Sequence, residues 1–418
     1  MGGQLGDGGA PRRRTAELLA ALSSGLDAAE NRPRGHAVRT AIIAVRIAES
    51  LERAETVRAA LLYAGLLHDA GTTGRTASDI DGKAAEKVGR TPAHLSRPDR
   101  AAAVIRTLAL PAEVAEAVCS ADERWNGQGP MRLRKDGIPL GARIIAVASV
   151  AATAVAATLD DRRRNGHADM VTPSVHAVAD ALRGRRGKEL DPRIVDACLK
   201  LTPPTFWRRL IESDPMEQLL ESEPAGDIRR STPEHIDTVC ATFADLVDTR
   251  TPMMGRHGVR VAQLAVGVAS RLGFDGLECR EIRRAALLHD IGKLLVPIAY
   301  LEKATELTDS ERAVIRDHPR IGSDILRRSR VLAGLASLVE GHHESLDGEG
   351  HFPQFEQQRM ALAARVLAVC DRYEAMTSER PYRPLLTREQ VWHLLEEAAT
   401  EPMARRAFLA LRSTVEYD

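Results

Sequence analysis

Apolar residues recur at steps of three and four from Thr15 onward, through Val38–Leu51 and Val57–Leu67. They do so again through Ile236–Thr249, Val259–Leu272 and Glu281–His289. That spacing lines one face of an α-helix. Strict alternation, the signature of a half-buried strand, is nearly absent, and aromatic residues, which favour strands, are only 3% of the chain. The pattern therefore predicts an all-α protein. Further helices are expected over Ala101–Leu108 and Ala112–Ala121, separated at Pro111, and over Ala142–Leu159, whose alanines suit close helix packing. Asp309–His318 and Ile321–Ser329 follow, with Thr308 and Glu311 at capping-box spacing and Pro319 ending or kinking the first of them. Asn126-Gly127-Gln128-Gly129-Pro130 reads as a loop.

The pattern breaks twice. Residues 1–14 are Gly-rich, then basic at Arg12-Arg13-Arg14, and predict a disordered tail without a hydrophobic signal core. Residues 212–233 carry Pro215, Pro224 and Pro233 among Ser and acidic residues and predict a linker, with a short helix at Met216–Leu220. Two helical bundles result, 15–211 and 234–418, and 418 residues are enough for two sizeable cores.

The bundles are copies of one another. Leu66-Leu67-His68-Asp69-Ala70-Gly71 mirrors Leu287-Leu288-His289-Asp290-Ile291-Gly292 at an offset of 221, and His36 falls on His257. The same offset sets Arg97-Pro98 on His318-Pro319, Ala121-Asp122-Glu123 on His342-His343-Glu344, and Asn126-Gly127-Gln128-Gly129 on Asp347-Gly348-Glu349-Gly350. One residue later in register, Ser149 falls on Asp371. Apolar positions and glycines persist in both copies. The His and Asp set is complete only in the second. The first has Arg97, Ala121, Asp122 and Ser149 at those positions, and Thr72 where the second has Lys293. Arg97 is the most disruptive change, because a guanidinium has no lone pair to offer a cation.

Composition narrows the reading. The formal net charge is zero, so no global basic field argues for DNA. The five cysteines are scattered without CxxC spacing, which fits neither a disulfide scaffold nor a zinc knuckle and suits a reducing, cytoplasmic setting. No uninterrupted apolar run is expected to span or insert into a membrane.

The chemistry gathers around Leu287-Leu288-His289-Asp290-Ile291-Gly292-Lys293, with His257, His318, His342, His343 and Asp371 at wide intervals. Imidazole with carboxylate suits divalent transition metals. Two such ions close together activate water and hold a phosphoryl oxygen. Asp290 can bridge two ions through its two oxygens. Lys293, one turn beyond His289, can neutralise charge developing on a phosphate; a structural salt bridge is its plainer role. His342 and His343 are adjacent and cannot share one face of a regular helix, although a cleft between helices can receive both.

These pieces resemble the HD-GYP family, a subgroup of the HD metal-dependent phosphohydrolases. The matching residues are His257, His289-Asp290-Ile291-Gly292-Lys293, His318-Pro319, His342-His343-Glu344, Asp347-Gly348-Glu349-Gly350, Asp371 and Arg380-Pro381-Tyr382-Arg383, within about 243–395. The resemblance implies an all-α fold of tandem HD-domain bundles, the first a degenerate copy that keeps Leu190-Asp191-Pro192. It implies two divalent metals, iron or manganese, because Met253 stands where three-metal members carry Glu. One ion would take His257, His289, Asp290 and Asp371, the other Asp290, His318, His342 and His343. It also implies hydrolysis of cyclic di-GMP to pGpG or GMP. Where the family has Gly-Tyr-Pro, this chain reads Gly350-His351-Phe352-Pro353. In place of the missing Tyr, His351 or Phe352 would stack on a base, and Arg380 or Arg383 would meet a second phosphate.

Three functions stand open on the sequence. The chain is a cyclic di-GMP phosphodiesterase, an HD hydrolase of another nucleotide or phosphorylated metabolite, or a non-catalytic nucleotide-binding or interaction protein. The degenerate half would serve as a packed platform or a homodimer surface.

Overall fold

Each copy builds its core from helices whose starts are set by local chemistry. In the computed structural model the residue before His36 and the residue before His257 both adopt left-handed backbone, Gly35 at φ 74° and Arg256 at φ 62°. That turn brings the chain round so that each histidine opens its helix pointing inward, both fully buried. Glycine takes this conformation without steric cost, whereas Arg256 does not. The structure describes residues 14–71, 96–165, 171–201, 204–212, 215–250, 255–303, 305–343, 346, 358–378 and 386–417.

In the first half the helices are α1 (Thr15–Ala29), α2 (His36–Ser50), α3 (Glu55–Leu67), α4 (Arg97–Thr107), α5 (Ala112–Cys119), α6 (Leu140–Asn165), α7 (Val171–Arg185), α8 (Pro192–Leu199), α9 (Pro204–Glu212) and α10 (Pro215–Ser222). The second half holds α11 (Pro233–Arg250), α12 (His257–Arg271), α13 (Gly276–Leu288), α14 (Ile298–Leu301), α15 (Asp309–Arg316), α16 (His318–Leu326), α17 (Ala336–Glu340), α18 (Gln358–Thr377), α19 (Arg388–Ala398) and α20 (Pro402–Tyr417). A 3-10 turn at Ile291–Leu295 sits between α13 and α14. The fold is all-α. Among the described residues only two isolated bridges, Arg14 with Arg230 and Arg186 with Leu190, have strand-like pairing.

The repeat holds in space. Helices α2, α3 and α6 pack together as α12, α13 and α18 do. The Thr308–Glu311 capping box forms at the start of α15, and a second, Asp275 with Glu278, starts α13. Pro319 lies in the first turn of α16 rather than inside a continuous helix. The segment 212–233 carries α10, which packs on α1 and α2. Arg14 is anchored by donating to the Leu220 carbonyl at 2.8 Å, while residues 1–13 lie outside the described residues.

The segment Leu140–Leu159 of α6 is long and apolar enough, with a mean hydropathy of 1.9, to cross a membrane by length and composition. Half of it is buried inside the protein, and α6 packs on α2, α3, α5, α7 and α8. Its apolarity comes largely from alanines that let neighbouring helices approach, as its sequence suggested.

Helix α1 crosses between the halves. It packs on α2 and α3 of its own half, and also on the 3-10 turn Ile291–Leu295 and on α16 of the other. A β-carbon at Gly25 would lie 2.7 Å from Leu294 Cδ1, so the absence of a side chain there permits the approach.

Candidate metal centre

Five separate elements deliver the second-half cluster. His257 opens α12, and His289 and Asp290 follow the end of α13. His318 opens α16, His342 and His343 lie in the turn after α17, and Asp371 sits within α18. His257, His289, His318, His342, Asp290 and Asp371 are all buried. His343 is the exception, with its side chain 47% exposed. The neighbouring histidines lie on a turn rather than a helix, so both reach the same cleft, their ring centroids 4.1 Å apart.

Gly292 fixes the approach of two of these elements. A β-carbon there would fall 2.0 Å from the His318 carbonyl oxygen and 2.8 Å from the Gly322 nitrogen. Gly71 meets the Arg97 carbonyl in the same way, at 2.5 Å. The glycine after each His-Asp pair thus lets the start of the facing helix come against it.

The six buried groups and His343 divide into two sets of converging atoms. One is His257, His289 and Asp371; the other is Asp290, His318, His342 and His343. Asp290 faces both. Its Oδ2 lies 3.3 Å from His289 Nε2, and its Oδ1 lies 3.1 Å from His318 Nε2. Asp371 Oδ1 is 3.1 Å from His257 Nε2, and its Oδ2 is 3.6 Å from His343 Nδ1.

The donor set fits divalent ions. His289, His318 and His342 each donate from Nδ1 to a main-chain carbonyl, of Ala286, Ile315 and Val339, at 2.7, 2.7 and 2.6 Å. Those bonds leave Nε2 as the lone-pair nitrogen of each neutral ring and aim it inward. Yet His257 Nε2 stands 3.2 Å from His289 Nε2, and His318 Nε2 stands 3.3 Å from His342 Nε2. Lone pairs at that separation repel unless a cation or proton lies between them. Asp290 Oδ1 is buried and lacks a hydrogen bond, an acceptor set aside for something the chain does not itself supply.

Electrostatics agree. Burial alone would raise the Asp290 and Asp371 carboxyls, but the surrounding histidines, with Lys293 beside Asp290, hold both well below the usual range. Burial and three neighbouring imidazoles keep His342 well below its ordinary value, hence neutral, as a ligand must be. Burial would also lower His289, yet Asp290 and Asp371 drive it up to about 10. A cation bound beside His289 would compete with a proton for that ring.

Lys293 donates from Nζ to Asp290 Oδ2 at 2.6 Å, the plainer of the roles its position suggests. His351, Phe352, Arg380 and Arg383, expected at the substrate, lie outside the described residues, as do Met253 and Glu344.

The structure adds groups that sequence reasoning missed. The Glu374 carboxylate accepts from His257 Nδ1 and also contacts Arg260 and Ser378 Oγ. It lies three residues after Asp371 on one face of α18, a spacing that could have revealed it. Asp248 is buried near His257, and burial pushes its carboxyl up to about 7. Its counterpart at the same 221-residue offset is Asp27, also pushed up to about 7 by burial and accepting from the Ala37 N–H at 2.9 Å. Comparing the two copies could have found this pair.

Glu374→Gln is expected to weaken metal binding roughly 10- to 100-fold while the fold persists, the scale set by losing a carboxylate that orients a ligating imidazole. Calorimetric metal titration checks it, with the melting temperature as control.

In the first half the cluster has been rebuilt around charge pairs. His36, His68 and Asp69 still converge, with His36 Nε2 3.3 Å from His68 Nε2. Ser149 replaces the second aspartate and meets His36 Nε2 at 3.2 Å. Arg97 reaches Asp69 Oδ1 at 3.6 Å and also pairs with Asp122, while Arg32 reaches Asp69 Oδ2 at 3.4 Å. Two guanidinium groups thus supply positive charge where the second half has room for cations. Asp69→Asn is accordingly expected to leave the metal content of the whole chain unchanged, by elemental analysis.

Helical bundles repeated along one chain, each gathering buried His and Asp into a cluster able to hold metal ions, define a tandem all-α protein with a candidate metal centre. The chain belongs to the HD superfamily: an HD domain matches residues 34–153 and another matches 241–402. It is an HD-domain hydrolase, homologous to cyclic-dinucleotide phosphodiesterases. The 3'3'-cGAMP-specific phosphodiesterase 3 of Vibrio cholerae is 27% identical across 96% of this chain and 94% of its own length. A crystal structure of a cyclic GMP-AMP specific phosphodiesterase from V. cholerae superimposes with a TM-score of 0.69, at 25% identity, over 97% of this chain and 98% of that one. A cyclic di-GMP phosphodiesterase of Pseudomonas aeruginosa is 41% identical, but over 30% of this chain and 31% of its own.

Proposed function

We propose that the second half hydrolyses a phosphodiester bond of a cyclic dinucleotide, and that 3'3'-cGAMP is its substrate ahead of cyclic di-GMP. The observation that carries the choice is the end-to-end similarity, through both HD domains, to a 3'3'-cGAMP-specific phosphodiesterase. The similarity to the P. aeruginosa cyclic di-GMP enzyme covers less than a third of the chain. The cyclic di-GMP reading drawn from motifs is displaced for a physical reason. Those motifs supply groups for ions and phosphate, which every cyclic dinucleotide presents alike, and so do not distinguish one base from another.

His257, His289 and Asp371 would hold one ion, and His318, His342 and His343 the other, with one oxygen of Asp290 toward each. Iron or manganese suits such an imidazole–carboxylate set. When bound, the two ions supply Lewis-acid activation of water and of a phosphoryl oxygen. The main-chain carbonyls of Ala286, Ile315 and Val339 hold three rings in the neutral tautomer, and Glu374 holds His257. The burial of the cluster excludes bulk water. Lys293, whose side chain is more exposed than those of Asp290 and Asp371, would meet a non-bridging phosphate oxygen and stabilise its charge. His351 or Phe352 would stack on a base, and Arg380 or Arg383 would engage the second phosphate.

A panel of 3'3'-cGAMP, cyclic di-GMP and an aryl phosphodiester, incubated with manganese- or iron-loaded protein, tests this. The linear dinucleotide should form fastest from 3'3'-cGAMP. Faster cleavage of cyclic di-GMP would restore the motif-based reading, and cleavage of the aryl ester alone would defeat both.

A further inference from the structure

A cavity of about 1330 Å³ lies between the two halves, and none of the candidate metal ligands lines it. Its walls come from α1, the start of α2, α10 and the segment after α16. They present Arg14, Arg34, Arg39, Arg327, Arg328 and Arg330 against Glu17, Glu217 and Glu221. Two of those acids are already engaged. Glu17 accepts the Arg330 N–H at 2.7 Å, and Glu221 pairs with Arg209. Some of the cationic charge is also spent, since Arg14 pairs with Glu223 and Arg327 with Glu340. Arg34 and Arg330 are exposed, and among the described residues their guanidinium groups have no partner. A chain of zero net charge thus gathers a cationic surplus in one concave place.

We infer that this cavity is a second ligand site, for a small polyphosphate-bearing metabolite, and that its occupation is felt at the candidate metal centre. Guanidinium is the side chain suited to phosphate oxygens, offering paired N–H donors in a planar fork. The volume exceeds the usual range for small-molecule pockets, so a nucleotide-sized anion fits. The coupling follows from α1. Its Glu17 end faces the cavity and holds the main chain of Arg330. One face lies on the 3-10 turn that carries Lys293 and on α16, which opens with His318. Gly25 rests against Leu294, whose carbonyl accepts from Arg250 at 2.6 Å. An anion drawing the arginines of α2 and of 327–330 together would clamp α1 between them, and with it the turn bearing Lys293.

The binding claim stands on the cavity alone. The functional consequence rests on the phosphodiesterase reading of the second half, so the test uses no turnover. Pyrophosphate is titrated calorimetrically into the full-length chain, both metal-loaded and after chelation. Hydrogen exchange is then followed over residues 15–29 and 291–295. Stoichiometric binding that survives chelation is expected, at least tenfold weaker in Arg34→Glu/Arg330→Glu, with slowed exchange in both segments. If the double reversal impairs folding, judged by its melt, Arg34→Gln/Arg330→Gln replaces it with the same expectation. Absence of binding to the chelated protein, or equal binding by wild type and variant, overturns the site. Binding without any change at 291–295 overturns the coupling.

Discussion

Asp290→Ala is expected to abolish measurable hydrolysis, lowering kcat by roughly 10³-fold or more, on the scale of removing one group that holds the reacting charge. The reason is positional. Asp290 places one oxygen 3.1 Å from His318 Nε2 and the other 3.3 Å from His289 Nε2, so its loss weakens both sets of ligands at once. Metal content should fall with activity. Lys293→Ala, by contrast, should slow turnover by about 10²-fold with the metal retained, because it removes a charge and not a ligand. Steady-state kinetics paired with elemental analysis separates the two outcomes. Full metal occupancy and near-normal kcat in the Asp290 variant would remove the aspartate from its central role.

Gly292→Ala should have the next largest effect, through geometry instead of charge. The added methyl would lie 2.0 Å from the His318 carbonyl oxygen, a backbone atom that cannot rotate away. Either the 3-10 turn, which follows directly on Asp290, or the start of α16, which carries His318, must move. Overpacking of this kind costs about 3 kcal/mol, and here it also separates Asp290 from His318. A melting temperature lowered by several degrees together with loss of bound metal is the expected result. An unchanged melt with full metal would show that the contact relaxes without consequence.

Much of this could be read from the chain because it carries its own control. Comparing Arg97, Ala121, Asp122 and Ser149 with His318, His342, His343 and Asp371, against the apolar positions and glycines kept in both copies, separates chemistry from scaffold. Arg97 opposite His318 marked the first copy as altered, and the structure places that guanidinium on Asp69. The all-α class followed from periodicity, since few aromatic or alternating segments compete with it. The carboxylate on the far side of His257 was less legible, because Glu374 reads as one more polar residue on α18 until its partner 117 residues away in sequence is known. The crossing of α1 into the second half was invisible for a similar reason. An amphipathic helix declares that it has a buried face, but not what it is buried against. Substrate choice was least legible, since the His, Asp and Lys residues that the sequence singles out are groups for ions and phosphate, which all cyclic dinucleotides share.

Whether a two-ion centre in the second half cleaves a cyclic dinucleotide is decided by one titration. Chelated protein is titrated anaerobically with manganese or ferrous iron while 3'3'-cGAMP cleavage is followed by chromatography of the products. No cleavage is expected without metal, and the rate should rise to a plateau at about two equivalents per chain. Cleavage that persists in chelator, or fully loaded protein that leaves 3'3'-cGAMP and cyclic di-GMP intact, would contradict the two-ion phosphodiesterase reading.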